Sequence, residues 1–258
     1  MHQTPLPFDK VEGCGNDFVL LYQEPSAALI PKLCDRHHGV GADGIMVWQG
    51  AHEDGFRLDH YDPDGGRTFC LNGIRAGLNL AIKRGDCPTE GVIYSEGSRL
   101  AYRFDQSVFL RLDPVPFQPC RWVEDTHCHE GFFVDVGNPQ FVLLGDLDLR
   151  AFRKLAPRMR APSALFPNGA NVNLLLPAPP GDRQTWHIYT FERGVENFTR
   201  ACGSGMYAAA MVVMDLYQTA NVRFIPEGRG HVRVEQYKDG LWLTGDTQHV
   251  FQGTWLCG

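Results

Sequence analysis

The chain has 258 residues, 43% of them hydrophobic, which is enough to bury a sizeable core in one large or two medium domains. Its net charge of −6, with Lys and Arg scattered rather than clustered, argues against a nucleic-acid surface, and no run approaches the roughly 18 apolar residues of a membrane span. The start, Met1-His-Gln-Thr-Pro-Leu-Pro, has no charged-then-apolar export pattern, so the cytoplasm is the expected compartment and the eight cysteines are expected to remain thiols.

In chain order, residues 8–12 read as a strand, 13–17 as a Gly/Asn turn and 18–22 as a buried strand. Apolar spacing predicts a short helix over 28–34, followed by a glycine loop at 39–44. That loop lacks GxGxxG spacing and runs into a strand at 45–48, which argues against a dinucleotide site. Residues 56–61 alternate as a strand, and Asp62-Pro-Asp-Gly-Gly66 is a turn, proline setting φ and glycine accepting positive φ. After Cys70 a helix is predicted, with Ile74, Leu78, Ala81 and Ile82 on one face, Lys83 and Arg84 at its C-terminal end, and Gly85 as terminator. Strands follow at 92–95, 100–104 and 108–112, and the three prolines of 113–119 are expected to break regular structure and mark the domain crossing, giving domains at 1–115 and 116–246.

The second half opens with a strand at 131–136 and continues through Gly137-Asn138-Pro-Gln140 into 144, a helix at 147–159, a turn at 168–173, and strands at 174–176 and 185–191. Glu192-Arg193-Gly194 closes the last of these. Then Cys202-Gly203-Ser204-Gly205 enters a helix running to 214, repeating the pattern Cys70-Leu71-Asn72-Gly73 of the first half. Gly137-Asn138 similarly echoes Gly15-Asn16, so two matched pairs at similar separation point to an internal duplication of domain size.

A helix start carries N–H groups with no intrahelical acceptor and the positive end of the dipole, a natural seat for an anion. A cysteine there leans toward thiolate, from a reference pKa of about 8.5. Two such starts facing one substrate would offer N–H donors to a carboxylate, with a sulfur on each side of the adjacent carbon. That is the arrangement of a two-base racemase: one thiolate removes the α-proton and the opposite thiol returns one to the other face, with no metal and no cofactor. A cysteine hydrolase would need His60 or His187 as base. The grouping of Cys120, His127, Cys128 and His129 has poor zinc spacing.

These residues resemble the diaminopimelate epimerase family nearly end to end. The resemblance rests on Gly13-x-Gly-Asn-Asp-Phe18, Asp35-Arg-His-His-Gly-Val-Gly-Ala-Asp43, Asp64-Gly65, Cys70-Leu-Asn-Gly-Ile-Arg75, Gly137-Asn-Pro139, Asn171-Val-Asn173, Glu192-Arg-Gly194, Ala201-Cys-Gly-Ser-Gly205 and Val250-Phe-Gln-Gly253. It implies an α/β (α+β) fold of two pseudo-symmetric domains, each a β-barrel-like sheet around a central helix, with 247–258 returning to the first. It also implies cofactor-independent interconversion of LL- and meso-diaminopimelate and a homodimer. Cys70 and Cys202 would be the acid/base pair. Asn16, Asn138, Asn171, Glu192 and Arg193 would hold the distal end of an amino-acid substrate, and Asn72, Gly203 and Ser204 its reacting carboxylate, with Glu192 biasing the thiols.

The chain departs from the family pattern at substrate-facing positions. Leu71 stands before Asn72-Gly73 where a glycine is usual, Asp62 replaces an Asn, Gln140 replaces a His beside the cysteine pair, and Glu12 and Cys14 replace a His and an apolar residue. Asp62 could pair with a distal amine, so a racemase for another basic amino acid such as histidine is the alternative, and a non-catalytic amino-acid-binding homologue a third reading.

Overall fold

The computed structural model describes residues 5–124, 127–145, 147–179 and 181–256. The chain divides into two units, one running to Arg111 and resuming at Thr244, the other Leu112–Leu243.

In the first unit β1 (Leu6–Gly13) and β2 (Asn16–Leu21) form an antiparallel hairpin, closed by Cys14 and Gly15 at positive φ. A short helix α1 (Ile30–Cys34) leads to β3 (Gly44–His52), parallel to β2, and then to antiparallel β4 (Gly55–Tyr61). Helix α2 (Leu71–Arg84) follows and crosses to β5 (Glu90–Ser95), parallel to β4, after which β6 (Ser98–Asp105) and β7 (Ser107–Leu112) continue antiparallel.

The second unit opens with the hairpin β8 (Phe117–Glu124) and β9 (His127–Asp135). The order of the first unit then returns. Strand β9 pairs antiparallel with β10 (Pro139–Leu144), helix α3 (Leu149–Arg160) leads to β11 (Asn171–Pro177) parallel to β10, and β12 (Thr185–Glu192) is antiparallel to β11. A short β13 (Asn197–Thr199) folds back on β12 before helix α4 (Gly203–Tyr217). Next come β14 (Asn221–Pro226), parallel to β12, the antiparallel β15 (Val232–Tyr237), and β16 (Gly240–Gly245). Last, β17 (Thr247–Trp255) returns to the first unit, antiparallel to β1. Each half therefore runs hairpin, helix, parallel strand, antiparallel strand, cysteine, buried helix, parallel strand and hairpin. This is the mixed α/β duplication expected from the repeated motifs.

The two post-cysteine helices are the centres of their units. Every residue of α2 from Leu71 to Ile82 is buried, against β1, β2, β3, β4 and β17. Helix α4 is buried from Met206 to Val213 and packs on β9, β10, β11, β14 and β15. Close approach requires glycine at two places: a Cβ on Gly73 would stand 2.4 Å from Met46 Sδ, and one on Gly205 2.3 Å from Asn173 Oδ1. Packing on several strands at once fixes the position of each helix.

The structure corrects three local expectations. The proline-rich stretch does not end regular structure at 119, because β8 begins at Phe117 and carries Pro119. Pro119 stands opposite Phe132 of β9 in that strand. Residues 171–173 are strand rather than turn, and Asn173 is fully buried, its amide taking the place of an apolar side chain by bonding Gln140 and Thr190. The helix expected from 28 is a single turn starting at Ile30. Cys257 and the side chain of His127 lie outside the described residues.

Candidate active site

Cys70 and Cys202 are both N-cap residues. Cys70 has φ −133° and ψ 102°, Cys202 φ −116° and ψ 108°, and neither sulfur caps its own helix. Their carbonyls start the helices, accepting from Ile74 N–H at 2.9 Å and Met206 N–H at 3.0 Å, which leaves the first-turn N–H groups without an intrahelical acceptor. No acidic side chain lies in either first turn, so the positive end of each dipole is not neutralised from within the helix.

In the first unit Cys70 Sγ lies 3.9 Å from Asn16 Oδ1 and donates to it, and Asn72 Nδ2 donates to the same oxygen at 3.3 Å. Two groups fix which way these amides point. The Asp43 carboxylate can only accept, and Asn16 Nδ2 donates to it at 2.8 Å; the Arg75 guanidinium can only donate, and its Nη2 gives to Asn72 Oδ1 at 2.8 Å. Asp43 is held in turn by Arg36, which also bonds Asp17. Burial would raise the Asp17 carboxyl, but Arg36 and Lys10 hold it at about 2. Arg75 is fully buried in α2.

In the second unit Asn171 Oδ1 accepts from the backbone N–H of Arg193 at 2.8 Å, and Asn171 Nδ2 reaches Cys202 Sγ at 3.9 Å. Ser204 Oγ is 3.4 Å from the same sulfur. Gln140 Nε2 donates to Ser204 Oγ at 3.2 Å and Asn138 Oδ1 at 2.8 Å, while Gln140 Oε1 accepts from Asn173 Nδ2 at 2.9 Å. Thr190 completes the row, its hydroxyl donating to Asn173 Oδ1 at 2.8 Å.

The structure thus groups Asn16, Cys70 and Asn72 around one helix start, and Asn138, Gln140, Asn171, Cys202 and Ser204 around the other. Gly203 opens α4, and Glu192 ends β12 directly before Arg193, whose Nη1 bonds Asn168 O at 3.2 Å. Leu71 and Gly73 are buried in the first turn of α2, Gly73 against Met46. Asp62 does not join the group around Cys70 in any contact found. It lies 4.0 Å from His60 Nδ1, and burial raises its carboxyl while Thr68 lowers it. His60 is a core histidine, bonded to Thr68 Oγ1 at 2.8 Å and pushed down to about 4 by burial, not a base beside a cysteine. Sequence reasoning missed Asp43, Arg75, Asn173 and Thr190 as orienting groups. One signal was present: Asn173 lies two residues from Asn171, hence on the same strand face.

Among the described residues no group of three or more His, Cys, Asp or Glu is placed to hold a metal ion, and no helix is long and apolar enough to cross a membrane. No protein-family model matches the chain. A protein named diaminopimelate epimerase from Chlorobaculum tepidum is 30% identical over 260 residues, spanning 95% of this chain and 99% of that relative. The chain belongs to the diaminopimelate epimerase family. A second member, from Gemmatimonas aurantiaca, is 32% identical over 225 residues, covering 81% of this chain and 79% of the relative. Among solved structures, a phenazine biosynthesis protein of the PhzF family from Bacillus anthracis superposes with a TM-score of 0.72 at 10% identity, over 99% of this chain and 100% of that one. That likeness establishes the fold. Membership in this family makes the protein an isomerase, an epimerase of the diaminopimelate epimerase type.

Proposed function

We propose that the protein interconverts LL- and meso-diaminopimelate at Cα, without a cofactor, using Cys70 and Cys202 as the two acid/base groups. One observation carries this reading: in a chain 30% identical to a diaminopimelate epimerase, both duplicated helices start on a cysteine whose sulfur does not cap its own helix. In the forward half-reaction one sulfur, as thiolate, takes the α-proton, and the electron pair of the broken C–H bond delocalises into the carboxylate. The other sulfur, as thiol, gives its proton to the opposite face and becomes the thiolate, so protons balance and the enzyme is left poised for the reverse direction.

The difficulty is the weak acidity of the α-proton. First-turn N–H groups, with Asn72, Gly203 and Ser204, would receive the charge that develops on the carboxylate; one such donor is typically worth about 2.7–4 kcal/mol. Asn16, Asn138, Asn171, Glu192 and Arg193 would hold the rest of the substrate, with Glu192 and Gln140 tuning the thiols. A second reading is a related racemase for another amino acid such as histidine, in which Asp62, beside His60 and Thr68, would pair with a distal amine.

The test is α-deuterium incorporation by NMR in heavy water with reduced protein and a panel of LL- and meso-diaminopimelate, lysine, histidine, arginine and glutamate. Exchange with inversion in diaminopimelate is the expected result; exchange only in another amino acid decides for the second reading, and none for a binding protein. Cys70→Ser and Cys202→Ser should each lose at least about 10²-fold in racemisation rate, the scale of a positioned acid or base, while Cys34→Ser stays near wild type. Full activity in either of the first two variants would sink the mechanism.

A further inference from the structure

The two half-sites are duplicated in backbone, but the amide that meets each sulfur presents its opposite end: Asn16 an oxygen to Cys70, Asn171 a nitrogen to Cys202. Cys70 gives its proton to an acceptor, Asn16 Oδ1, which faces it because Asp43 claims the Asn16 amide N–H₂. At Cys202 the neighbouring groups are donors. Arg193 N–H can only donate, so Asn171 presents Oδ1 to it and its Nδ2 to the sulfur. A longer row fixes Ser204. The carbonyl of Phe141 can only accept, and Asn173 Nδ2 lies 3.5 Å from it, so Asn173 Oδ1 faces Thr190 and Nδ2 also serves Gln140 Oε1. Gln140 Nε2 must then point at Ser204 Oγ, which also accepts from Asn138 Nδ2 at 3.4 Å. With both lone pairs of its oxygen engaged, the Ser204 proton is directed at Cys202 Sγ, 3.4 Å away.

We infer that the row Thr190–Asn173–Gln140–Ser204, together with Asn171, holds Cys202 as the thiolate of the resting enzyme, while Asn16 holds Cys70 as the thiol. Hydrogen bonds donated to a sulfur favour its charged form, and an acceptor facing a thiol favours the neutral one. Thr190 and Asn173 are positioning residues: neither touches Cys202, and both act through the orientation of an amide and a hydroxyl. The row depends on Gln140, a group with a fixed donor and a fixed acceptor that does not titrate, so the setting persists across pH. The row is buried at its origin, with Asn173 and Gln140 fully buried and Thr190 3% exposed, where such bonds are worth more than at a surface. On the strands packed against α4 the charged residues are Glu130 and Asp135 of β9, Arg223 of β14 and Arg233 and Glu235 of β15; Glu192 closes β12, Arg193 follows it, the exposed Arg200 precedes Ala201, and no acidic residue lies in the first turn of α4; all remain in the variants below.

The assignment rests on the two-cysteine reading above, and its test needs no substrate. The full reduced chain is labelled with 13Cβ-cysteine, and the Cβ shifts of Cys70 and Cys202, assigned through the serine variants, are followed against pH. Cys202 should ionise first. Thr190→Val removes the hydroxyl that donates to Asn173 Oδ1, two amides away from Ser204, and should lower the Cys202 thiolate fraction at a given pH by less than the roughly tenfold of one hydrogen bond to a charged group, whereas Thr190→Ser should restore it. Ser204→Ala, a half-buried site at the helix start whose hydroxyl bonds the sulfur directly, should lower it by that full, roughly tenfold amount and provides the measurement if Thr190→Val fails to fold. Ionisation of Cys70 before Cys202, or a Cys202 titration unmoved in Ser204→Ala, overturns the inference. A protein that shows the expected titrations yet exchanges no α-proton would leave the row standing and sink the epimerase reading instead.

Discussion

Buried polar side chains decide the chemistry of this protein, and each has a measurable signature. His60 is 4% exposed, its Nε2 has no hydrogen-bond partner among the described residues, and a Cβ on Gly44 would stand 2.4 Å from that atom. Burial holds it neutral down to about 4. The unfolded chain binds a proton at about 6.5, so the full stability is present above that pH and falls as pH drops toward 4, by on the order of 3 kcal/mol at about 1.4 kcal/mol per pKa unit. Urea unfolding between pH 7 and 4 should show this slope, and His60→Gln should flatten it. Gly205 is the second case. Alanine there meets Asn173 Oδ1 at 2.3 Å, so Gly205→Ala should cost about 1–3 kcal/mol by overpacking and displace the amide that orients Gln140, with activity falling beyond the loss of folded protein. None of this was legible in the residues alone. The cysteines, Asn16 and Asn138 announced themselves by motif, but the orientation of an amide depends on what the neighbouring strand offers it, and Asp43, Arg193 N–H and the Phe141 carbonyl reach their partners only through tertiary pairing.

The elements were the most readable level, because each helix after a cysteine has an apolar pattern, and the first also has a stop that physics makes explicit, while the second runs past 214 to Tyr217 and ends on Gln218. Gly85 ends α2 with φ 81°, and its N–H bonds Ile82 O at 3.0 Å. A Cβ there would meet nothing within 4 Å, so Gly85→Ala should cost about 1 kcal/mol from backbone conformation alone and leave catalysis unchanged, as thermal unfolding and exchange assays can check. Two elements were hidden for opposite reasons. Strand β8 was masked by the prolines before and within it, and the first residues of β11 by asparagines that usually mark turns. In β11 the same residues face inward, where Gln140 and Thr190 satisfy the amide of Asn173. Composition does not distinguish a turn asparagine from a buried one; the register of Asn173 against Val142 and Thr190 does.

The duplication organises the whole molecule, but the first unit is not closed by its own half of the chain. Strand β1 lies between β2 and β17, and Asp9, side chain 3% exposed, ties the three strands and α2 together. Arg84 Nη2 and His249 Nε2 meet Asp9 Oδ1 at 2.6 and 2.7 Å, and the Tyr22 hydroxyl donates to Oδ2 at 2.7 Å. Burial raises this carboxyl, and Arg84 and Tyr22 more than offset it, so the group is charged and paired. Asp9 is buried but its partners reach solvent, Arg84 32% and His249 36% exposed, so each pair contributes less than a fully buried one. A chain ending at Asp246 should lose cooperative unfolding of the first unit and keep that of Leu112–Leu243, which limited proteolysis distinguishes. The pairing of β17 with β1 has a consequence in time. During synthesis all of Leu112–Leu243 is made before β17 exists, on the order of ten seconds at about 5–20 residues per second. Throughout that interval β1 presents an open edge, so the half of the protein made first is the half finished last, and a β17 from a neighbouring copy competes for the same seat.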